Sequence, residues 1–173
     1  MSVIVLRHTR PQTAEGRCYG RTDLALAEGF EAEVARLLVE LPPVARILSS
    51  PLSRCFRLAE AIGTARGMPV EVDSGLTEMD FGAWENQPWD AIPRAELDAW
   101  RDDFLHARPH GGESVADLGA RTAAALDRAA AGEGPVLAVT HAGVIKAALA
   151  ALGDPAGWHV AIGFAEFRVL EWR

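Results

Sequence analysis

Strand-length apolar runs alternate with helix-period segments along most of this chain, and that alternation restricts the fold more than any other feature. Val3 to Leu6 is a continuous apolar run, and Phe30, Val34, Leu37, Leu38 and Leu41 follow at helical spacing until Pro42 and Pro43 stop the helix. Arg46 to Ser49 reads as a second strand. Ser50 then caps a helix with Pro51 in its first turn and Leu52, Cys55, Ala59 and Ile62 on one face, and Gly67 ends it. Val70 to Val72 is a short strand. Ser114-x-x-Asp117 is a capping box for a helix carrying Val115, Leu118, Thr122, Ala125 and Leu126, closed by Gly132 and Gly134. Pro135 to Thr140 is a buried strand, Ala142 to Leu152 a helix, and His159 to Trp172 one or two final strands. Repeated strand-helix units of this kind predict an α/β protein, a three-layer α/β/α sandwich with a mostly parallel central sheet, with residues 1–173 forming a single domain. Asp73 to His110 is irregular, with helical pieces around Pro88 to Phe104, and it holds Trp84, Trp89 and Trp100.

With 173 residues, 49% hydrophobic and 24% charged, the chain can bury a substantial core, which excludes a disordered or disulfide-scaffold protein. The longest apolar stretches fall well short of the roughly 20 residues of a spanning helix. The N-terminal run reaches Arg7 without the basic start and longer apolar core of a signal peptide, so the expected location is cytoplasmic. Lys+Arg 17 against Asp+Glu 24 gives a net charge of -7, which argues against a general nucleic-acid or anionic-membrane surface. Any anionic ligand must find a local basic pocket.

In open parallel sheets ligands bind beyond the carboxyl ends of the strands. Here those ends carry Arg7-His8, then Ser50 to Arg54, then His141. Each alone has an ordinary explanation as a solvated loop residue or a helix cap. Together, from three distant parts of the chain, they suit a tetrahedral anion, with helix N-termini adding backbone N–H groups. His106, His110 and His159 show no HxH or HExxH spacing, and no metal or other cofactor is expected. Cys18 and Cys55 have no CxxC spacing, and a cysteine nucleophile followed six positions later by Arg fails because Leu24 and Ala61 stand there. Neither a G-x-S-x-G elbow nor a G-x-x-x-x-G-K-[ST] phosphate loop occurs.

Four segments carry a family resemblance: Leu6-Arg7-His8-Thr9, the run from Ser49 to Arg54, the run from Leu76 to Glu85, and Val139-Thr140-His141-Ala142-Gly143. In this order they resemble the signature segments of the histidine phosphatase superfamily, the phosphoglycerate-mutase-like proteins, over Val3 to about Leu152. The resemblance implies that His8 is the nucleophile, that Arg7, Arg54 and His141 hold the phosphoryl oxygens, and that Glu78 transfers protons. Neutral imidazole is a competent nucleophile, and neighbouring arginines oppose its protonation. Planar arginine forks stabilise charge over the transferring oxygens. Asp80, two residues beyond Glu78, either raises the Glu78 pKa or is structural.

The first segment departs from the commoner pattern, in which Gly, an acidic residue and a later Asn follow the nucleophile. This chain has Thr9, Arg10 and no Asn, so Thr9 or Thr13 is expected to supply the missing contact. The run from Gly16 to Leu24 is similar to a loop of α-ribazole-5′-phosphate phosphatase-type members, as is Pro109 to Ser114, and makes Arg17, Tyr19 and Arg21 candidate substrate contacts. Glu113 either pairs with an arginine, caps the helix or touches substrate. Residues 85–114 are expected to cover the site, with Trp84 and Trp89 either stacking on a substrate ring or packing in a core. The chain lacks the added length of cofactor-dependent mutases, which favours hydrolysis over transfer. The implied activity is a metal-independent phosphomonoesterase on a small phosphorylated metabolite, α-ribazole-5′-phosphate of cobalamin biosynthesis first. A sugar-phosphate or broad phosphatase is the alternative, and a catalytically weak phospho-ligand binding protein is the alternative of another class. The oligomeric state is not legible.

Overall fold

A computed structural model describes residues 1–12 and 15–173. Among these, β1 (Ser2–Arg7), β2 (Arg46–Ser49), β3 (Val70–Val72), β4 (Val136–Thr140) and β5 (Phe167–Glu171) form one sheet in the order β3-β2-β4-β1-β5. All neighbours are parallel except β5, which runs antiparallel to β1 at the edge. The alternation of side chains along a strand explains the three layers. Val3, Val5, Val136 and Ala138 face a core built with α4 (Val115–Ala130) and α5 (Ala142–Ala151). Ile4, Leu6, Leu137 and Val139 face the other core, with α1 (Phe30–Glu40) and α2 (Ser53–Arg66). The expected α/β/α sandwich is therefore present. The central strand β4 is buried at every residue, as its unbroken apolar sequence requires.

The capping box forms as read: Ser114 Oγ accepts from the Asp117 N–H, and the Asp117 carboxylate accepts from the Ser114 N–H. Gly67 closes α2 in the left-handed region at φ +66°. The start of α2 differs from the sequence reading. Ser50 does not cap it; the helix begins at Ser53, and Asp23 from a distant loop accepts from both Ser53 N (3.0 Å) and Ser53 Oγ (2.7 Å). The Ser50 hydroxyl lies 2.8 Å from the His141 ring and accepts from the Leu52 N–H, ahead of the helix, at 3.3 Å. The tail yields one strand, because Ile162 to Glu166 leaves the sheet to bind residues at the end of β1.

Residues 73–110 contain three short 3-10 turns and α3 (Arg94–Asp102). They close over a third, smaller core in which Cys18, Trp84 and Ile92 are buried against Phe81, Leu97 and Trp100. No described helix is long and apolar enough to cross a membrane.

Candidate active site

β1, β2 and β4 deliver their last residues to one point beyond the sheet. His8 follows β1, is 2% exposed, and its Nδ1 lies 2.7 Å from the Thr9 carbonyl. A carbonyl only accepts, so Nδ1 carries the proton and Nε2 keeps its lone pair. Arg54, in the first turn of α2, donates its Nε–H to that lone pair at 3.3 Å. Burial above all, then the Arg54 charge and, less, that of Arg7, bring the His8 imidazole down to about 3, against the opposing Thr9 hydrogen bond. The ring is neutral at ordinary pH.

The Arg54 guanidinium is itself buried and fixed: Nη1 donates to the Thr22 carbonyl (2.7 Å) and Nη2 to the Gly20 carbonyl (2.6 Å). Its remaining N–H groups are available to an oxyanion. His141, at the start of α5, is fully buried, with its ring centroid 5.2 Å from that of His8. Its Nε2 lies 2.8 Å from Ser50 Oγ and 3.3 Å from Cys55 Sγ. Burial first, then the neighbouring charges beginning with His8 and Arg54, hold this imidazole well below its ordinary range. Burial also raises both thiols, Cys18 up to about 12, so neither is a thiolate nucleophile at neutral pH.

Arg7 closes the opposite wall. Its Nη1 donates to the Ile162 carbonyl (2.5 Å), and its guanidinium lies 3.9 Å from the Phe164 ring centre. The His8 ring is 5.7 Å from the same Phe164. Arg7 Nε and Thr9 Oγ1 are buried with no partner among the described residues. Two unsatisfied polar atoms beside a neutral histidine are what an anion pocket presents before its ligand completes the hydrogen bonding.

Glu78 lies on the side of α5. Its Oε2 accepts from Gly143 N (3.1 Å), while Oε1 accepts from Met79 N (2.9 Å). A Cβ at residue 143 would fall 2.2 Å from Glu78 Oε1, so only glycine lets the carboxylate approach α5 this closely. Arg121 of α4 fixes the backbone behind it, donating to the carbonyls of Gly75, Thr77 and Glu78 while paired with Glu113 at 2.6 Å. Among the described residues no group of three or more His, Cys, Asp or Glu side chains is placed to hold a metal ion.

Residues 3–173 match the histidine phosphatase superfamily, branch 1. The chain belongs to that superfamily. Glucosyl-3-phosphoglycerate phosphatase of Mycolicibacterium vanbaalenii is 36% identical over 167 residues, covering 87% of this chain and 73% of that protein. A probable phosphoglycerate mutase of Yersinia pestis is 33% identical, with 90% and 77% covered. The native structure of mycobacterial glucosyl-3-phosphoglycerate phosphatase superposes with a TM-score of 0.82 at 30% identity, over 98% of this chain and 89% of that one. Like phosphatases of its superfamily, the protein is a hydrolase of phosphomonoesters.

The other residues singled out in the sequence fall differently around this histidine phosphatase site. Thr9 is in it, through its carbonyl and its buried hydroxyl. Tyr19 stands close by, its ring centre 5.3 Å from the Arg54 guanidinium carbon. Arg17 and Arg21 are exposed; Arg17 donates to the Asn86 carbonyl, and no described hydrogen bond ties either side chain to His8, Arg54 or His141. Thr13 lies outside the described residues. For Trp84 the packing alternative holds and the stacking one does not: it is 1% exposed, its Nε1 donates to Glu96 at 2.7 Å, and it packs in the third core. Trp89 packs edge-on against Trp84 and Phe81 with part of its ring exposed. Asp80 caps the turn at Gly82 N, which is a structural role, and Glu113 takes the arginine pairing.

Sequence reasoning missed Glu85, Phe164 and Arg121. The Glu85 carboxylate gathers the N–H groups of Gly20, Arg21, Thr22 and Phe81 and the Thr22 hydroxyl. Burial alone would raise it, but these hydrogen bonds prevail and hold it below the usual carboxylate range. It thereby fixes the loop whose carbonyls grip Arg54. Its place at the end of the third signature segment was the one available signal.

Proposed function

We propose that the protein hydrolyses small phosphorylated metabolites through a phosphohistidine at His8. The supporting observation is the hydrogen-bonded state of that ring, with Nδ1–H committed to the Thr9 carbonyl and the Nε2 lone pair turned to Arg54. An entering phosphoryl group displaces that one weak donor and leaves Nε2 free to attack. The P–Nε2 bond forms as the P–O ester bond breaks with its electron pair passing to the leaving oxygen, which takes a proton from Glu78 in its acid form. Water then attacks phosphorus, gives its proton to Glu78, and the P–N pair returns to Nε2, releasing orthophosphate. Arg7, Arg54 and His141 hold the equatorial oxygens.

For the substrate, similarity to proteins named glucosyl-3-phosphoglycerate phosphatase favours a sugar-phosphate or sugar-acid phosphate. α-Ribazole-5′-phosphate, with a place in cobalamin biosynthesis, is the second reading and rests on residues 16–24 and 109–114. In this fold much of those segments serves the scaffold, since Gly20 and Thr22 hold Arg54 and Glu113 holds Arg121.

Brief mixing with a radiolabelled phosphate ester should trap an acid-labile, base-stable phosphoryl group that disappears in His8→Ala. Label on serine, cysteine or aspartate, or binding of the ester with no turnover, would overturn the mechanism.

A further inference from the structure

Beside the phosphate pocket lies a cavity of about 230 Å³ that continues beyond Glu78. Glu78 and Gly143 form one end of it; Phe81, Trp100, Phe104 and Trp158 form the walls; Lys146 stands among them. That volume is room for a three-carbon acid with one face against an aromatic ring.

Three observations bear on what enters it. Attack by His8 is in line with departure, so the leaving oxygen lies on the far side of phosphorus, where the proton donor must also be. Glu78 lines the cavity, so whatever carbon bears that oxygen continues past Glu78 into this space. Second, Lys146 is the chain's only lysine among seventeen cations, and it sits one helical turn beyond Gly143 on α5, on the face that meets Glu78. Third, its ammonium is in no ion pair among the described residues, whereas many arginines elsewhere are engaged with carboxylates. A part-buried, uncommitted cation in a largely apolar cavity is a receptor for an anion.

We infer that Lys146 binds a carboxylate on the leaving alcohol, so that the enzyme selects phosphate esters of hydroxy acids over esters of neutral alcohols. This rests on the phosphohistidine reading and specifies its leaving-group site. The aromatic walls then take an apolar or sugar face attached to the same acid. A leaving alcohol without a carboxylate offers Lys146 no partner and should be turned over less efficiently than a glycerate-type one.

The test uses two esters that differ at one carbon, 3-phosphoglycerate and glycerol 3-phosphate, with p-nitrophenyl phosphate as a common reference. Wild type should show at least a 10-fold higher kcat/KM for the acid. Lys146→Met keeps the stem and removes the charge; it should abolish that preference, chiefly through KM, while the neutral ester and the reference change less than about threefold. Lys146→Glu should invert the preference. Equal loss on all three esters, or a wild type indifferent to the carboxylate while turning over the reference, would overturn the inference and leave the His8 chemistry standing. Failure of the His8 reading shows separately, as absence of the labelled histidine with any ester.

Discussion

The Gly143 N–H donates to Glu78 Oε2 at 3.1 Å, and the α-carbon that carries it has no room for a methyl group on the Glu78 side. Helix α5 and the proposed proton donor are thus held together by a missing side chain. Gly143→Ala improves intrinsic helix propensity yet must push the carboxylate away. The expected result is a kcat lower by roughly 10²-fold on an alkyl phosphate, within the range for loss of a general acid, and a much smaller loss on p-nitrophenyl phosphate, whose oxygen departs unprotonated. Inhibition by inorganic phosphate should be unchanged, because Arg7, Arg54 and His141 do not move. Parallel losses on both esters would show that Glu78 is not the acid.

Glu85 acts on the site at second hand, through the loop carbonyls that fix Arg54. Glu85→Gln keeps one acceptor but brings an N–H₂ against several N–H donors, leaving buried groups mismatched at about 1–3 kcal/mol each. Stability should fall, and inhibition by phosphate should weaken at least several-fold. Arg54→Ala in the Glu85→Gln background should then add less to that weakening than it does in the wild type. A loss of stability with unaltered phosphate affinity would confine Glu85 to the scaffold.

Protonation of the buried histidines links pH to stability. His8 folds neutral with its pKa at about 3, whereas the unfolded chain has the ordinary 6.5. Below pH 6.5 the unfolded state therefore binds the extra proton, so stability is complete above that pH and declines as pH falls toward 3, by up to about 1.4 kcal/mol per pH unit for each such group. His141 adds in the same direction. Denaturant unfolding between pH 7 and 4 should show this slope, and His8→Ala should flatten it. An unchanged slope in the variant would mean that His8 does not fold neutral.

The parts legible in the sequence are those governed by local pattern. Val3 to Leu6 and Pro135 to Thr140 announce buried strands by composition, Ser114 and Asp117 announce a helix start, and residues at strand ends converge because parallel sheets place them so. What escaped depends on long-range choices among equivalent partners. Ser50 had two possible uses, helix cap or histidine partner, and only the assembled fold decides for His141. Phe164 sits in an apolar tail with strand-like spacing, yet Arg7 draws the Ile162 carbonyl and takes that stretch out of the sheet. Trp84 was open between substrate and core because aromatic content is the same signal for both.

Trp84 now gives a separable prediction. Its ring is buried against Trp100 and His110, with centroids 5.7 Å and 4.9 Å away, and its Nε1–H is satisfied by Glu96. Trp84→Ala opens a large cavity in a small core and leaves Glu96 without its donor, so it should cost roughly 3–5 kcal/mol of stability. Trp84→Phe fills most of the volume and should lose less. Trp84 is not among the residues that line the cavity of Glu78 and Lys146, but it packs against two of its walls, Phe81 and Trp100, and Trp84→Phe keeps most of that support. Below the lowered melting temperature, the ratio of kcat/KM for a bulky, ring-bearing ester to that for a small ester should therefore match the wild type in Trp84→Phe, whereas Trp158→Ala should depress the bulky ester selectively. A Trp84 variant that melts normally but loses only the bulky ester would return Trp84 to the substrate site.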